Sequence, residues 1–294
     1  MTRKLAFLFP GQGVLPKGLP PDNQLSRGLL KLSSRAGIAL EEWLQEQQGS
    51  YLSQTRYAQP AIFVDSVSKE KSLRARGVVP YAVAGHSLGE YAALVSAEVL
   101  KADEAFHVVV SRGRLMGKVT GGGMSAILKL PLREVKKVCA SAGEDVVVAN
   151  INAPTQIVIS GPKDGLERVM ASCEALGGRS VRLDVSGPFH SKLLARAQKD
   201  LSPVIESLSF YPPKTTFVSS VSGRKENDPS FIKALLLTQI TACVKWIDTV
   251  ESLVGAGIDM AIEVGPGRVL TNLGRRITDK IEFLTFEEAI NGTL

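Results

Sequence analysis

The chain has 294 residues, 44% of them hydrophobic and 22% charged, which excludes a disordered chain, a collagen-like chain and a coiled coil. At roughly 150 residues per domain, this length suggests two domains, or one large domain carrying an insertion. Lysine plus arginine is 35 against 29 acidic residues, a net charge of +6 that favours acidic partners, but the charges interleave, as in Lys69-Glu70-Lys71, and do not form the basic stripe of a nucleic-acid binder.

The first predicted strand is Leu5 to Phe9, ended by Pro10-Gly11. That apolar run is too short for a signal-peptide core. Helical patterns follow near Ala39 to Gln48 and Ala61 to Arg76, then a buried strand Tyr81 to Ala84. Helices are expected over Leu88 to Leu100 and Asp103 to Lys118. Helices alternating with short apolar runs argue for an α/β fold with a parallel sheet. Gly121-Gly122-Gly123 breaks this rhythm. After it come strand Met124 to Leu130, helix Leu132 to Ala142, strands Asp145 to Asn150 and Gln156 to Ser160, helix Lys163 to Leu176 and strand Ser180 to Asp184. This β-α-β-β-α-β order is ferredoxin-like. It divides the chain into a large α/β domain over 1–123 and 187–294, with a small inserted domain over 124–186. The second part of the large domain should hold helix Lys192 to Leu208, strand Thr216 to Ser220, helices Pro229 to Thr241 and Lys245 to Gly255, and strand Asp259 to Val264. Gly265-Pro266-Gly267 then leads into a helix ending near Ile277, and Ile281 to Phe286 is the last expected strand. No stretch approaches the ~20 apolar residues of a membrane span, so a soluble, cytoplasmic protein is expected. Cys139, Cys173 and Cys243 are far apart and odd in number, and read as small buried residues, not as a disulfide or metal framework.

The strongest local signal is Gly85-His86-Ser87-Leu88-Gly89, a G-x-S-x-G sequence between a predicted strand and a predicted helix. Glycines allow the sharp turn that lifts a serine hydroxyl to the top of a sheet. Leu88 opens the helix, so its backbone N–H is free to meet an oxyanion at the positive end of the helix dipole. The plainer role for Ser87 is a helix N-cap. A serine nucleophile needs a base, and the chain has 3 histidines. His86 adjoins Ser87 and should point away from it. His107 lies mid-helix beside Phe106 and Val108 and reads as a packed residue. By elimination His190, in Gly187-Pro188-Phe189-His190, is the base, unless it is a surface loop histidine. Asp184 is the nearest acid in sequence, but it falls in the small domain's last predicted strand, so no triad acid emerges. Gln12, between two glycines after the first strand, can present a second oxyanion N–H or simply form a turn. Arg112 precedes Gly113, a helix glycine suited to close packing. The arginine can grip a carboxylate with paired hydrogen bonds, although on pattern alone a solvated surface residue fits it better.

The chain resembles the malonyl-CoA:acyl carrier protein transacylases, the acyltransferases of fatty acid and polyketide synthesis. The resemblance rests on Phe9-Pro10-Gly11-Gln12-Gly13, on Thr55 to Ala61, on Gly85 to Leu94, on Arg112 with Leu115-Met116, on Asn152 to Gln156, on Gly187 to His190, and on Glu263 to Gly267, in register over nearly the whole chain. It implies a large α/β-hydrolase-like domain and a ping-pong reaction. Ser87 would take malonyl from malonyl-CoA while His190 accepts the proton and the N–H groups of Gln12 and Leu88 hold the oxyanion. The phosphopantetheine thiol of acyl carrier protein would then collect the malonyl group. It further implies that Arg112 pairs with the malonyl carboxylate and that Gln239 orients the histidine. The chain departs from the family pattern at Val14-Leu15 and at Ala242-Cys243-Val244.

These readings lead us to expect acyl carrier protein and malonyl-CoA as partners, no nucleic acid, no metal, no permanently bound cofactor and a monomer. A serine esterase or thioesterase on a similar elbow is the competing enzyme, and it would have no use for a carboxylate clamp. A non-catalytic scaffold that docks carrier proteins is the alternative from another class. It would have no need of both Ser87 and His190.

Overall fold

The computed structural model describes residues 3–46, 54–143 and 145–293. Two sheets organise it. The larger has 6 strands in the order β10-β9-β1-β2-β7-β8. They are β1 (Leu5–Phe9), β2 (Ala82–Gly85), β7 (Thr216–Val218), β8 (Lys225–Glu226), β9 (Met260–Glu263) and β10 (Glu282–Thr285). All neighbours pair in parallel except β7 with β8. β1, β2 and β9 are buried along their whole length, as expected of strands covered by helices on both faces.

The smaller sheet has 4 antiparallel strands in the order β4-β5-β3-β6. They are β3 (Gly122–Leu128), β4 (Val147–Ala153), β5 (Gln156–Pro162) and β6 (Arg179–Arg182). Side chains alternate across it with period two. Ile127, Ile157 and Ile159 form a core of their own with Val135, Cys139, Leu166, Val169 and Cys173 from the helices Leu132–Ser141 and Lys163–Ala175. Met124, Ala126 and Val158 join the main core on the other face. β4 is also tied to the chain after helix Pro229–Thr238. Ile151 N–H donates to Val244 O at 2.9 Å and Val244 N–H to Ala149 O at 2.8 Å.

Most elements lie within a few residues of their sequence-predicted bounds, and the differences have local causes. Helix Gln24–Arg35 was not anticipated. Asn23 caps it, its side chain accepting from Ser26 N–H, and its buried face carries Leu29 and Leu30. The helix expected from Ala61 begins at Thr55, because Pro60 is tolerated in its second turn. A proline there costs the Arg56 carbonyl its helical donor without ending the helix. The helix expected over Ala39 to Gln48 spans Leu40–Gln45, and its predicted last residues, 47 and 48, lie outside the described residues. The segment expected as helix Lys192 to Leu208 opens with a 3-10 turn, Lys192–Leu194, before helix Ala195–Glu206. β6 ends at Arg182, so Asp184 lies beyond the strand to which it was assigned. His107 is exposed, contrary to its reading as a packed residue, because it falls between the buried Phe106 and Val108 on the helix's outer side. Cys139 and Cys173 are buried as expected, and Cys243 is half-buried. Among the described residues, no helix is long and apolar enough to cross a membrane.

Candidate active site

β1 and β2 are adjacent parallel strands, and Phe9 pairs with Gly85 at their carboxyl ends. Gln12 and Leu88 each follow three residues later, so two loops leave the same sheet edge side by side. That edge is where α/β sheets place their chemistry. The turn after β2 is very tight. A Cβ on Gly85 would lie 2.1 Å from the Gly89 carbonyl carbon, and one on Gly89 would lie 1.9 Å from Phe9 O. Both glycines are therefore fixed by close backbone approach. Between them Ser87 has φ +51°, a strained value for a residue with a side chain. Helix Gly89–Ser96 follows, with Leu88 at its N-cap position and no side-chain cap. The Ser87 hydroxyl is thus not spent on capping.

That hydroxyl has two partners. Ser87 Oγ lies 2.7 Å from His190 Nε2, and Arg112 Nη2 donates to it at 2.9 Å. His190 Nδ1 faces two carbonyl oxygens, Ala242 O at 2.9 Å and Gln239 O at 3.1 Å. Carbonyls only accept, so Nδ1 carries the proton and Nε2 accepts from the serine. His190 is itself held in the left-handed region, φ +57°, while its N–H donates to Ile240 O at 3.0 Å. Burial, reinforced by the Arg112 charge, pushes the imidazole pKa down to about 3, against the opposing bonds to Ala242 and Gln239. The ring is neutral at ordinary pH, which leaves the Nε2 lone pair free to face the serine hydroxyl.

Arg112 is 1% exposed, which corrects its reading as a surface residue. Helix Ala102–Met116 buries Ala105, Val109, Arg112 and Met116, the spacing of one helical face, and Arg112 stands on that face. Gly113 permits the approach. A Cβ there would be 3.0 Å from Thr55 O, so the neighbouring helix can pack closely, as its position inside the helix suggested. Besides Ser87, Arg112 Nη2 reaches Gln239 Oε1 at 3.4 Å, and the Tyr91 ring centre lies 5.6 Å from its Cζ. Burial pushes the guanidinium pKa down, but an arginine does not lose its proton in a protein.

Gln239 connects these residues. Its Nε2 donates to Ser87 O at 3.0 Å and to Glu90 Oε2 at 2.9 Å, so its Oε1 is left to face Arg112. Glu90 is a buried acid to which the sequence reading gave no role, and it is not a triad acid, since His190 Nδ1 meets only main-chain carbonyls. It is 2% exposed and also accepts from Ser219 Oγ at 2.6 Å and Ser220 Oγ at 2.8 Å. Burial raises its pKa, while those hydrogen bonds and the Arg112 charge lower it. Burial is the larger influence, so the net shift is upward, while both oxygens accept hydrogen bonds, as those of a carboxylate do. Its signal in the sequence was a single acid in an otherwise apolar helix turn. The serines that satisfy it lie some 130 residues away at the end of β7, beyond local pattern.

His86 turns away from Ser87, as expected of neighbours on a sharp turn. Its Nε2 lies 2.9 Å from Asn152 Oδ1 on β4, and its ring meets Trp246 edge-on at 5.4 Å between centres. The Gln12 side chain donates to Thr55 Oγ1 at 3.1 Å. Among the described residues, neither Gln12 nor Leu88 has an acceptor for its backbone N–H. A cavity of about 1020 Å³ opens beside this edge, lined by residues including Val14, Leu15, Asp65, Lys69, Pro266 and Arg268. Val14-Leu15 lines that cavity, and Ser87, His190 and Arg112 do not.

A serine hydroxyl shared by a neutral imidazole and a guanidinium, at the carboxyl edge of a parallel sheet, places the molecule among the α/β proteins built for acyl transfer. The chain belongs to the acyl transferase domain family, which matches residues 25–288. The malonyl CoA-acyl carrier protein transacylase of Salmonella typhimurium is 35% identical over 290 residues, 95% of this chain and 94% of that one. The crystal structure of an acyl carrier protein S-malonyltransferase from Vibrio cholerae is 35% identical and superposes with a TM-score of 0.90 over 96% of each chain. A malonyl-transacylase solved in complex with its type II polyketide synthase acyl carrier protein is 33% identical, with a TM-score of 0.90 over 96% of this chain and 95% of that one.

Proposed function

We propose that this chain moves a malonyl group from malonyl-CoA to the phosphopantetheine thiol of acyl carrier protein, through a malonyl ester on Ser87. The observation that carries the reading is the contact of one hydroxyl with both His190 and Arg112. Ser87 Oγ attacks the thioester carbon while its proton passes to His190 Nε2. The tetrahedral oxyanion is held by the N–H groups of Gln12 and Leu88. The C–S bond then breaks, the His190 proton goes to the CoA sulfur, and malonyl-Ser87 remains. The second half repeats this with the carrier thiol, which gives its proton to His190 and attacks the ester. The carbon–Oγ bond breaks, and the proton returns to Ser87. Arg112 takes the malonyl carboxylate, and the Gln239 main-chain oxygen, with that of Ala242, orients His190. Malonyl-CoA and the carrier's phosphopantetheine are substrates, so the reaction calls for no resident cofactor.

The strand order of the smaller sheet supports a ferredoxin-like unit over 124–186, inserted into an α/β-hydrolase-like domain over 1–123 and 187–294. A cytoplasmic location fits the composition. Intact-protein mass spectrometry tests the function. Malonyl-CoA should add one malonyl mass, and later addition of holo carrier protein should remove it from the enzyme and place it on the carrier. Rapid release of free malonate without carrier would favour the thioesterase reading, and no adduct at all would favour the scaffold.

A further inference from the structure

Arg112 is a buried cation whose hydrogen-bond partners, Ser87 Oγ and Gln239 Oε1, are both neutral, and its Nε has none. A cation taken out of water without an anion is strongly unfavourable. The carboxylate of Glu90 stands one amide group away. The Gln239 side chain lies between them, its oxygen toward Arg112 and its nitrogen toward Glu90. That orientation is fixed, because a flipped amide would set its oxygen against two acceptors, Ser87 O and Glu90 Oε2. Ser219 is free to donate to Glu90, since its oxygen already accepts the Val221 N–H at 3.2 Å. Glu90 touches neither His190 nor the serine hydroxyl.

We propose that Glu90 is the resting counter-ion of Arg112, coupled to it through the Gln239 amide, and that the substrate carboxylate shares this cation when it arrives. Glu90 is thus a positioning residue. It keeps Arg112 in the dry site between turnovers. It also weakens the grip of Arg112 on the acyl carboxylate, so that the malonyl ester is not held too firmly to leave for the second thiol. Binding the intermediate as tightly as the transition state gains nothing in rate. The idea rests on the malonyl reading above only for its second half.

The test is a thermodynamic cycle of Glu90→Gln, Arg112→Ala and the double variant, followed by thermal unfolding without substrate. Glutamine keeps the volume and can still accept from Gln239 and Ser220, and the acceptor it loses opposite Ser219 is common to both backgrounds, so the cycle isolates the charge. Glu90→Gln should lower Tm by about 5–15 °C when Arg112 is present. With Arg112 absent it should lower Tm by less than about a third as much, because no cation remains unbalanced. Arg112→Met, which keeps more of the side-chain volume, serves if the alanine variant does not fold. Equal losses in both backgrounds would overturn the proposal and make Glu90 a structural acid. The second half is read on the acyl-enzymes. In Glu90→Gln, malonylation of Ser87 should raise Tm more than in the wild type, acetylation should not, and transfer of malonyl to pantetheine should slow by about tenfold or more. Equal Tm gains for malonyl and acetyl, or an unchanged transfer rate, would contradict it. If the wild type forms no malonyl adduct, the malonyl reading fails, while the substrate-free cycle still decides whether Glu90 balances Arg112.

Discussion

The two sheets do different work. The parallel sheet is buried on both faces and delivers its loops to one edge, where Gln12, Ser87, Leu88 and the acid-serine cluster at the end of β7 converge. The antiparallel sheet buries one face under its own two helices, turns the other into the main core, and leaves β6 largely exposed. It sends Asn152 toward the site, and Asn152 reaches His86 but none of the reacting groups. The difference teaches that the nucleophile and the oxyanion N–H groups sit where parallel strand ends converge, while the antiparallel unit meets the elbow through Asn152 on His86. Substitutions should therefore separate by sheet.

The largest effect is expected at the elbow. Ser87→Ala should abolish the covalent adduct, because no other nucleophile stands there, and a malonyl mass gain at an unchanged rate in that variant would remove Ser87 from the mechanism. His190→Ala should slow acylation by about 10²–10⁴-fold, the usual span of general-base catalysis. If His107→Ala, on the exposed side of its helix, gave that loss instead, the assignment of the base would be wrong. In the antiparallel sheet the effects should shrink. Asn152→Ala removes one hydrogen bond to His86, worth about 0.5–1.5 kcal/mol, or roughly 2–13-fold in rate. A loss as deep as that at His190 would show that the antiparallel sheet takes part in the chemistry.

The smallest effect on rate concerns pH. His190 has its folded pKa pushed below the ordinary imidazole value of 6.5, to about 3. It should stay neutral, and able to accept a proton, down to mildly acid pH. Acylation kcat/KM should then be flat from about pH 8 to pH 5, with no step at an ordinary histidine value. The same shift makes stability fall as pH drops from about 6.5 toward 3, because only the unfolded chain binds that proton. A titration of kcat/KM centred near 6.5 would mean that the imidazole is better solvated than this geometry allows.

Much of the elbow could be read from the sequence. A strand, two glycines and a helix are local features, and local sterics fix Ser87. His190 was singled out by elimination among few histidines, and its Nε2 lies 2.7 Å from Ser87 Oγ. The burial of Arg112 was missed because one charged residue in a mixed helix resembles a solvated face. The residues at Ala105, Val109 and Met116 already marked the buried stripe to which it belongs. Glu90 and its serines could not be paired from sequence, since their contact depends on how β2 and β7 lie side by side. Helix Gln24–Arg35 had its cap in Asn23, but its buried face mixes Ser26 and Ser33 with Leu29 and Leu30, which weakens the apolar pattern, and it was passed over.

The central claim is that Arg112 makes this serine site selective for an acyl group bearing a carboxylate. It is tested most directly by measuring acyl-enzyme formation from malonyl-CoA and acetyl-CoA in the wild type and in Arg112→Ala. Losing one partner of such a charge pair costs about 2–5 kcal/mol, so malonyl-CoA should lose roughly thirty-fold to several-thousand-fold in kcat/KM. Acetyl-CoA should keep its rate or gain, and the malonyl preference should flatten or invert. Equal losses for both thioesters, or no loss for either, would contradict the claim.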